Sequence, residues 1–196
     1  DVEAALAQAK RMVAEGADII DVGGESTRPG TDPTPDISAE LALVIPAIRA
    51  LAAELAVPIS IDTYKSAVAA EALKAGASII NDIWGLKFDP SLAKVAAEAG
   101  APIILMANER DAPSKSGILA KVMADLRYGI ETAEAAGVKP ENIIVDPGCG
   151  FGKTLEQNLE LVNRLGELKQ LGKPILLGTS RKSMIGLVLD LPADRR

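Results

Sequence analysis

The 196-residue chain has no histidine and a single cysteine, Cys149. Those two shortages remove whole classes of chemistry. A zinc site built from His and Cys is impossible, and so is any catalytic triad that turns on an imidazole. A lone cysteine also excludes an internal disulfide framework and suits a reducing cytoplasm. Aromatic residues make up only 3%, so an aromatic in a loop stands out. No apolar run approaches the roughly 18 residues of a membrane-spanning helix. Positive charge is in deficit: 21 Lys and Arg against 27 Asp and Glu leave −6. With a pI near 4.8, the chain lacks the basic footprint of a general nucleic-acid binder. What is present is ordinary for a globular protein, 48% hydrophobic and 24% charged residues, which argues for one core in a single domain over residues 1–196. Carboxylates, amides, hydroxyls, Lys and Arg are left to carry the chemistry.

One arrangement recurs along the chain: a helical stretch, a glycine, then a short apolar run that ends in a polar residue. E-G-A-D-I-I-D (15–21), A-G-A-S-I-I-N-D (75–82) and A-G-A-P-I-I-L-M (99–106) are the clearest cases, with looser versions at 56–62, 140–147 and 171–179. Gly16, Gly76, Gly100, Gly137 and Gly172 stand where a helix ends on a left-handed residue. The apolar runs are rich in Ile and Val and do not alternate, the mark of strands covered on both faces in a parallel sheet. Pro58, Pro102 and Pro174 fall near strand starts, where a missing N–H does least harm. Two stripes define amphipathic helices: Leu119, Val122, Met123, Leu126, Ile130 and Ala133, and then Leu155, Leu159, Val162, Leu165 and Leu168. The chain therefore reads as a helix followed by six strand–helix units, six strands and about seven helices. Their spacing of about 31 residues matches a (β/α)8 TIM barrel. The rival, an open dinucleotide-binding sheet, lacks its G-x-G-x-x-G turn after the first strand. The chain opens at Asp1 already in a helical pattern, so the expectation is an incomplete barrel, a piece lacking about 50 residues and the first and last strands.

Catalytic groups of a parallel barrel gather at the C-terminal ends of its strands. Here those ends read Asp21, Asp62, Asn81, Met106, Asp146 and Thr179. Asp and Asn also cap helices and start turns, so any one of them alone has a bland explanation: Asp62 as a cap near Lys65, Asp146-Pro147-Gly148 as a turn. Together they converge on one mouth, where carboxylates repel one another unless a ligand rich in N–H donors sits between them. A cyclic guanidine or aminopyrimidinone edge fits. The loops add cations and hydroxyls: Thr27-Arg28-Pro29, Gly150-Phe151-Gly152-Lys153 and Ser180-Arg181-Lys182-Ser183. In an acidic protein this rim suggests an anionic ligand, and the Gly-flanked Phe151 offers a face for a planar ring. Trp84 reads as a packing residue. G-C-G-F-G-K-T (148–154) is no P-loop, because the pattern needs glycine where Pro147 stands.

D-V-G-G-E-S-T-R-P-G (21–30), S-I-D-T (60–63), I-I-N-D-I (79–83), D-P-G-C-G-F-G-K-T (146–154) and G-T-S-R-K-S (178–183) resemble, in order, the signature segments of the dihydropteroate synthase family. The resemblance covers essentially the whole chain. It implies a (β/α)8 barrel, usually a cytoplasmic homodimer, that joins a dihydropterin carrying a CH2-diphosphate to p-aminobenzoate and releases pyrophosphate with the help of Mg2+. It further implies that Asp62, Asn81, Met106, Asp146 and Lys182 bind the pterin, with Asp62, Asp146 and Lys182 taking part in catalysis. Thr27, Arg28, Pro29, Phe151 and Ser183 would meet the aminobenzoate and diphosphate. The partners implied are these small molecules, with neither nucleic acid nor membrane. No metal ligand is assigned within the chain, since the family's Mg2+-binding asparagine would precede Asp1. Strand five ends L-M-A-N (105–108), where many relatives carry histidine after the methionine. Two rival readings are a corrinoid-dependent pterin methyltransferase and a non-catalytic pterin-binding barrel; the S-T-R-P-G and S-R-K-S segments speak against the methyltransferase.

Overall fold

The structure is a computed structural model that describes residues 1–25, 36–110, 113, 117–192, 194 and 195. Five strands form one parallel sheet in chain order: β1 (Ile20–Gly23), β2 (Ile59–Asp62), β3 (Ile79–Asp82), β4 (Ile103–Met106) and β5 (Ile143–Asp146). Seven α-helices surround them: α1 (Val2–Ala14), α2 (Ile37–Glu54), α3 (Ser66–Ala75), α4 (Ser91–Ala99), α5 (Ile118–Ala135), α6 (Leu155–Asn163) and α7 (Ser183–Leu189). Sequential order with a helix between parallel neighbours is the winding of a TIM barrel. Among the described residues the barrel is incomplete.

The sixth expected strand is reduced to one parallel bridge between Val145 and Ile175. Two hydrogen bonds hold it, Val145 N–H to the Pro174 carbonyl at 3.0 Å and Leu176 N–H to the Val145 carbonyl at 2.9 Å. No described strand flanks its other side, so its pairing stops there. The prolines act as expected. Pro58 and Pro102 precede β2 and β4, and their carbonyls accept from Ile20 (3.0 Å) and Ile80 (2.9 Å) on the neighbouring strand. All five predicted helix-ending glycines have positive φ; at Gly76 (φ 121°) a Cβ would also lie 2.5 Å from that of Ala52.

The non-alternating strand pattern has a clear structural basis. Paired rows in a parallel sheet face one way. The row Val22, Ile61, Ile80, Ile103, Ile143 turns outward onto the helices and joins a core with Val68, Ala72, Leu92, Ala96, Val122 and Leu126. Ile61, Ile80, Ile103 and Ile143 are fully buried, each contributing about 1.5–3 kcal/mol. The α5 stripe is buried as predicted. The second stripe is not. Of its members Leu168 is buried as expected, but Leu159 and Val162 are exposed, and Leu161, outside the stripe, is buried. Helix α6 ends at Asn163 and the chain continues as a 3-10 helix over Leu165–Leu171, so a single 3.6-residue period cannot span both.

Candidate active site

The alternate rows of the sheet face the barrel interior, and the register decides what meets there. Gly23 pairs with Asp62 and Asp62 with Asn81; Met106 pairs with Asp146. Asn81 in turn pairs with Ile104, so these four residues of β2, β3, β4 and β5 share one face, with Met106 and Asp146 one inward row beyond Asp62 and Asn81. Gly23 makes room for Asp62: a Cβ there would sit 3.3 Å from the Cβ of Asp62. Met106 is buried with Tyr64 and Ile83, and Trp84 and Phe151 pack on that small cluster. Trp84 is a packing residue, as expected.

The bland explanations can now be weighed residue by residue. Asp62 caps nothing: the first turn of α3 is held by Asp89, whose carboxylate accepts from Ser66 N–H at 2.9 Å. Among the described residues no donor reaches the Asp62 carboxylate. Burial, followed by the negative charges of Asp21, Asp82, Glu40 and Glu25, pushes its pKa up to about 7. Asp146 does start a turn, accepting from Gly148 N–H at 2.7 Å, and it remains buried beside Met106. Burial pushes its carboxyl up, opposed by the Gly148 amide, Lys182 and Lys153. Asp82 faces the other way; its carboxylate accepts from Trp84 (2.8 Å) and Leu86 (2.7 Å) backbone N–H groups and shapes the β3–α4 loop.

Asp21 is not a strand end, because β1 runs on to Gly23. It pairs with Ser60 one inward row below Asp62. Ser60 Oγ donates to it, and Asn81 Nδ2 lies 3.3 and 3.4 Å from its two carboxylate oxygens. That contact fixes which way the Asn81 amide points. With its N–H2 turned to Asp21, Asn81 presents Oδ1, an acceptor, to whatever fills the interior.

The opposite wall carries cations. Lys182, the residue before α7, donates from Nζ to the Cys149 carbonyl, and burial pushes its pKa down while Asp146 pulls it back. Its Nζ sits 4.9 Å from the Phe151 ring centre. Ser183 opens α7 and is exposed. Thr27, Arg28 and Pro29 lie outside the described residues. Lys153 corrects the expected rim of loop cations. It turns inward, donating to the carbonyls of Ala107 (2.8 Å), Gly148 (2.9 Å) and Phe151 (3.4 Å). It thereby fastens the loop after β5 to the end of β4, and burial holds its pKa down at about 8. The nearest sequence signal is the G-F-G-K spacing, which does not say which way the lysine turns.

Two groupings escaped the sequence reading. Lys65, buried, pairs with Glu40 Oε2 (2.7 Å) and Glu25 Oε2 (3.1 Å), and Tyr64 OH donates to Glu25 at 2.9 Å. Arg110, in the loop after β4, lies with its guanidinium carbon 4.5 Å from the Phe151 ring centre. Among the described residues no three or more His, Cys, Asp or Glu are gathered to hold a metal ion. No helix there is long and apolar enough to cross a membrane.

Comparison with known proteins names this arrangement. The pterin binding enzyme family matches residues 1–196. A dihydropteroate synthase of Clostridium beijerinckii is 53% identical over the whole of this chain, which spans 72% of that relative. The crystal structure of a Clostridium difficile dihydropteroate synthase with pteroic acid superposes with a TM-score of 0.94 at 49% identity, covering 99% of this chain and 73% of that one. The Xanthomonas albilineans dihydropteroate synthase with 4-aminobenzoic acid gives 0.94 at 41% identity, covering 99% and 71%. The chain belongs to the dihydropteroate synthase family, the pterin-binding transferases of folate biosynthesis.

Proposed function

We propose that this protein condenses a dihydropterin-CH2-diphosphate with p-aminobenzoate, and that Asp62, Asn81, Met106, Asp146 and Lys182 form its pterin pocket. The observation that carries the assignment is the register that sets Asp62 beside Asn81 and Met106 beside Asp146 on one inward face. A largely buried carboxylate with no donor among the described residues is a strong acceptor for a guanidine-like N–H edge. Asn81 Oδ1 takes another N–H of the same edge, and Met106 packs against the flat ring.

Reaction breaks the C–O bond between the exocyclic methylene and the diphosphate, and the diphosphate leaves with the bonding pair. Positive charge then develops on the methylene and spreads into the pterin. Asp62 and Asp146, held in a low-dielectric wall, stabilise that charge where it forms. The neutral aniline nitrogen attacks the methylene, the N–C bond forms, and the nitrogen loses its proton to solvent. No imidazole is needed. Lys182, with Ser183 and Phe151 beside it, holds the aminobenzoate, while Thr27, Arg28 and Pro29 serve the aminobenzoate and diphosphate. Mg2+ enters this proposal as the diphosphate's counter-ion. Among the described residues no three His, Cys, Asp or Glu are gathered to hold it, and the steps above are written on the chain's own groups. A cytoplasmic location and a homodimer rest on the family resemblance alone.

A pyrophosphate-release assay with both substrates tests the reaction, with calorimetric binding of the pterin diphosphate alongside. Release that needs both substrates, and that is lost in Asp146→Ala, is the expected result. Release without p-aminobenzoate, or unchanged pterin affinity in Asp146→Ala, overturns the assignment.

A further inference from the structure

Arg110 is a cation with no acid partner among the described residues. Its backbone N–H donates to Asn108 Oδ1 at 3.1 Å, and the fully buried Asn108 donates its own amide to the Ile83 carbonyl at 3.0 Å. The backbone at Arg110 is therefore tied to the end of β3 by a buried side chain. The guanidinium does not trail into solvent; it lies over Phe151 at 4.5 Å and is half-buried. Lys182, more than seventy residues further along, brings its ammonium to 4.9 Å from the same ring.

Other buried or half-buried lysines find carboxylates, among them Lys65 with Glu25 and Glu40, and Lys87 and Lys121 with Asp125, while Lys153 is held by three backbone carbonyls. Among the described residues neither Arg110 nor Lys182 has an acid within ion-pair distance. Two like charges beside one aromatic ring repel, and the charge of Arg110 helps push the Lys182 pKa down; each is attracted only weakly by the ring. An anion shared between them removes the repulsion. The guanidinium is a planar fork suited to a carboxylate, and stacking on Phe151 holds that fork flat.

We propose that Arg110 is a further substrate-binding residue, whose guanidinium takes the carboxylate of the aromatic amine substrate together with Lys182. This rests on the proposed function of the same site and adds a residue that neither the motifs nor the family resemblance singled out.

The test is steady-state kinetics in the pyrophosphate-release assay, with wild type, Arg110→Met and Arg110→Lys. Losing a charged hydrogen-bond pair predicts that Arg110→Met raises KM for p-aminobenzoate about ten- to hundredfold. KM for the pterin diphosphate stays within about twofold, the scatter of a surface change, and Arg110→Lys falls between. With p-aminobenzamide, which lacks the negative charge, kcat/KM is the same in wild type and Arg110→Met. An unchanged KM for p-aminobenzoate overturns the inference, as does an equal loss with the amide. A rise confined to the pterin diphosphate also overturns it, by moving Arg110 to the diphosphate. Wild-type protein inactive with this substrate pair overturns the proposed function itself, whereas active wild type with an indifferent Arg110→Met overturns the Arg110 assignment alone.

Discussion

Asp62 should make pterin binding depend on pH in a direction that its surroundings dictate. Its carboxyl is lifted from the ordinary 3.8 to about 7, first by burial and then by Asp21, Asp82, Glu40 and Glu25. A ligand that donates N–H bonds to it needs the ionised form. Binding is therefore coupled to loss of a proton below pH 7 and uncoupled above it. About nine-tenths of the free protein carries that proton one unit below the pKa, so apparent affinity falls about tenfold there and about tenfold again one unit lower. Calorimetric titration of a hydroxymethyl-dihydropterin, which has no diphosphate to titrate, from about pH 5.5 to about pH 8.5 measures this. Asp62→Asn should bind weakly at every pH, with no slope. The same shift acts on stability. Because the folded pKa is raised, the stabilising contribution is present below 3.8 and is lost as pH rises through about 7, so the ionised group opposes folding at pH 8. The gap is worth about 4 kcal/mol at most, and water at the open side reduces it to about 1–2 kcal/mol. Asp62→Asn should thus raise the melting temperature at pH 8 by about 2–8 °C while destroying binding. A flat affinity profile in wild type, or a lower melting temperature in Asp62→Asn, refutes the electrostatic reasoning.

Asp21→Ala frees the Asn81 amide and removes a negative neighbour of Asp62, so pterin affinity should fall about three- to tenfold, and the midpoint of the pH profile should move to lower pH. Gly152 has φ +72°, and a Cβ there would lie 2.5 Å from the Glu109 carbonyl carbon. Gly152→Ala should cost more than about 1 kcal/mol in urea unfolding and raise KM for p-aminobenzoate by displacing Phe151. Lys153→Met strips the ammonium from three carbonyls in a buried setting. It should destabilise by about 2–4 kcal/mol, read as a lower urea midpoint at unchanged slope.

Much of this architecture was legible because its causes are local. Unbroken Ile and Val runs mean strands buried on both faces, which holds for β2 to β5 but not for β1. A glycine with positive φ follows α1, α3, α4 and α5, while α2 ends on Leu55 without one. The polar residues near the ends of β2, β3 and β5 were legible for the same reason, and register then places Asp62, Asn81, Met106 and Asp146 on one face. What the sequence hid depends on contacts between distant residues. The amide of Asn81 is oriented by Asp21, sixty positions earlier. Lys153 reads as a rim cation until the Ala107 carbonyl, forty-six positions back, captures it. Lys65 gives no hint that Glu25 and Glu40 will enclose it. The stripe drawn from Leu155 to Leu168 crosses the end of α6 at Asn163 into a 3-10 helix, and within α6 it is Leu161, not Leu159 or Val162, that meets the core.

The charges of the site are sorted along the arc of strands, and the sorting bears on which substrate atom goes where. On the β1–β3 side stand Asp21, Asp62 and Asn81, a donor-hungry wall to which no cation among the described residues is hydrogen-bonded. On the far side stand Arg110 and Lys182, flanking Phe151. Asp146 lies between, one strand from Met106 and within the field of Lys182. A substrate with N–H donors at one end and negative charge at the other can settle in only one direction, since reversal would set anion against carboxylate and N–H edge against ammonium. The carbon that becomes positive must lie between those ends, which is where Asp146 sits. A single ionised group can then serve twice, accepting from the heterocycle in the ground state and facing the developing cation as the diphosphate departs. This arrangement favours the transition state over the bound substrate only if Asp146 stays charged. Asp146→Asn, which preserves shape, should therefore lower kcat by more than it raises KM for the pterin diphosphate. An equal change in the two would reduce Asp146 to a binding group.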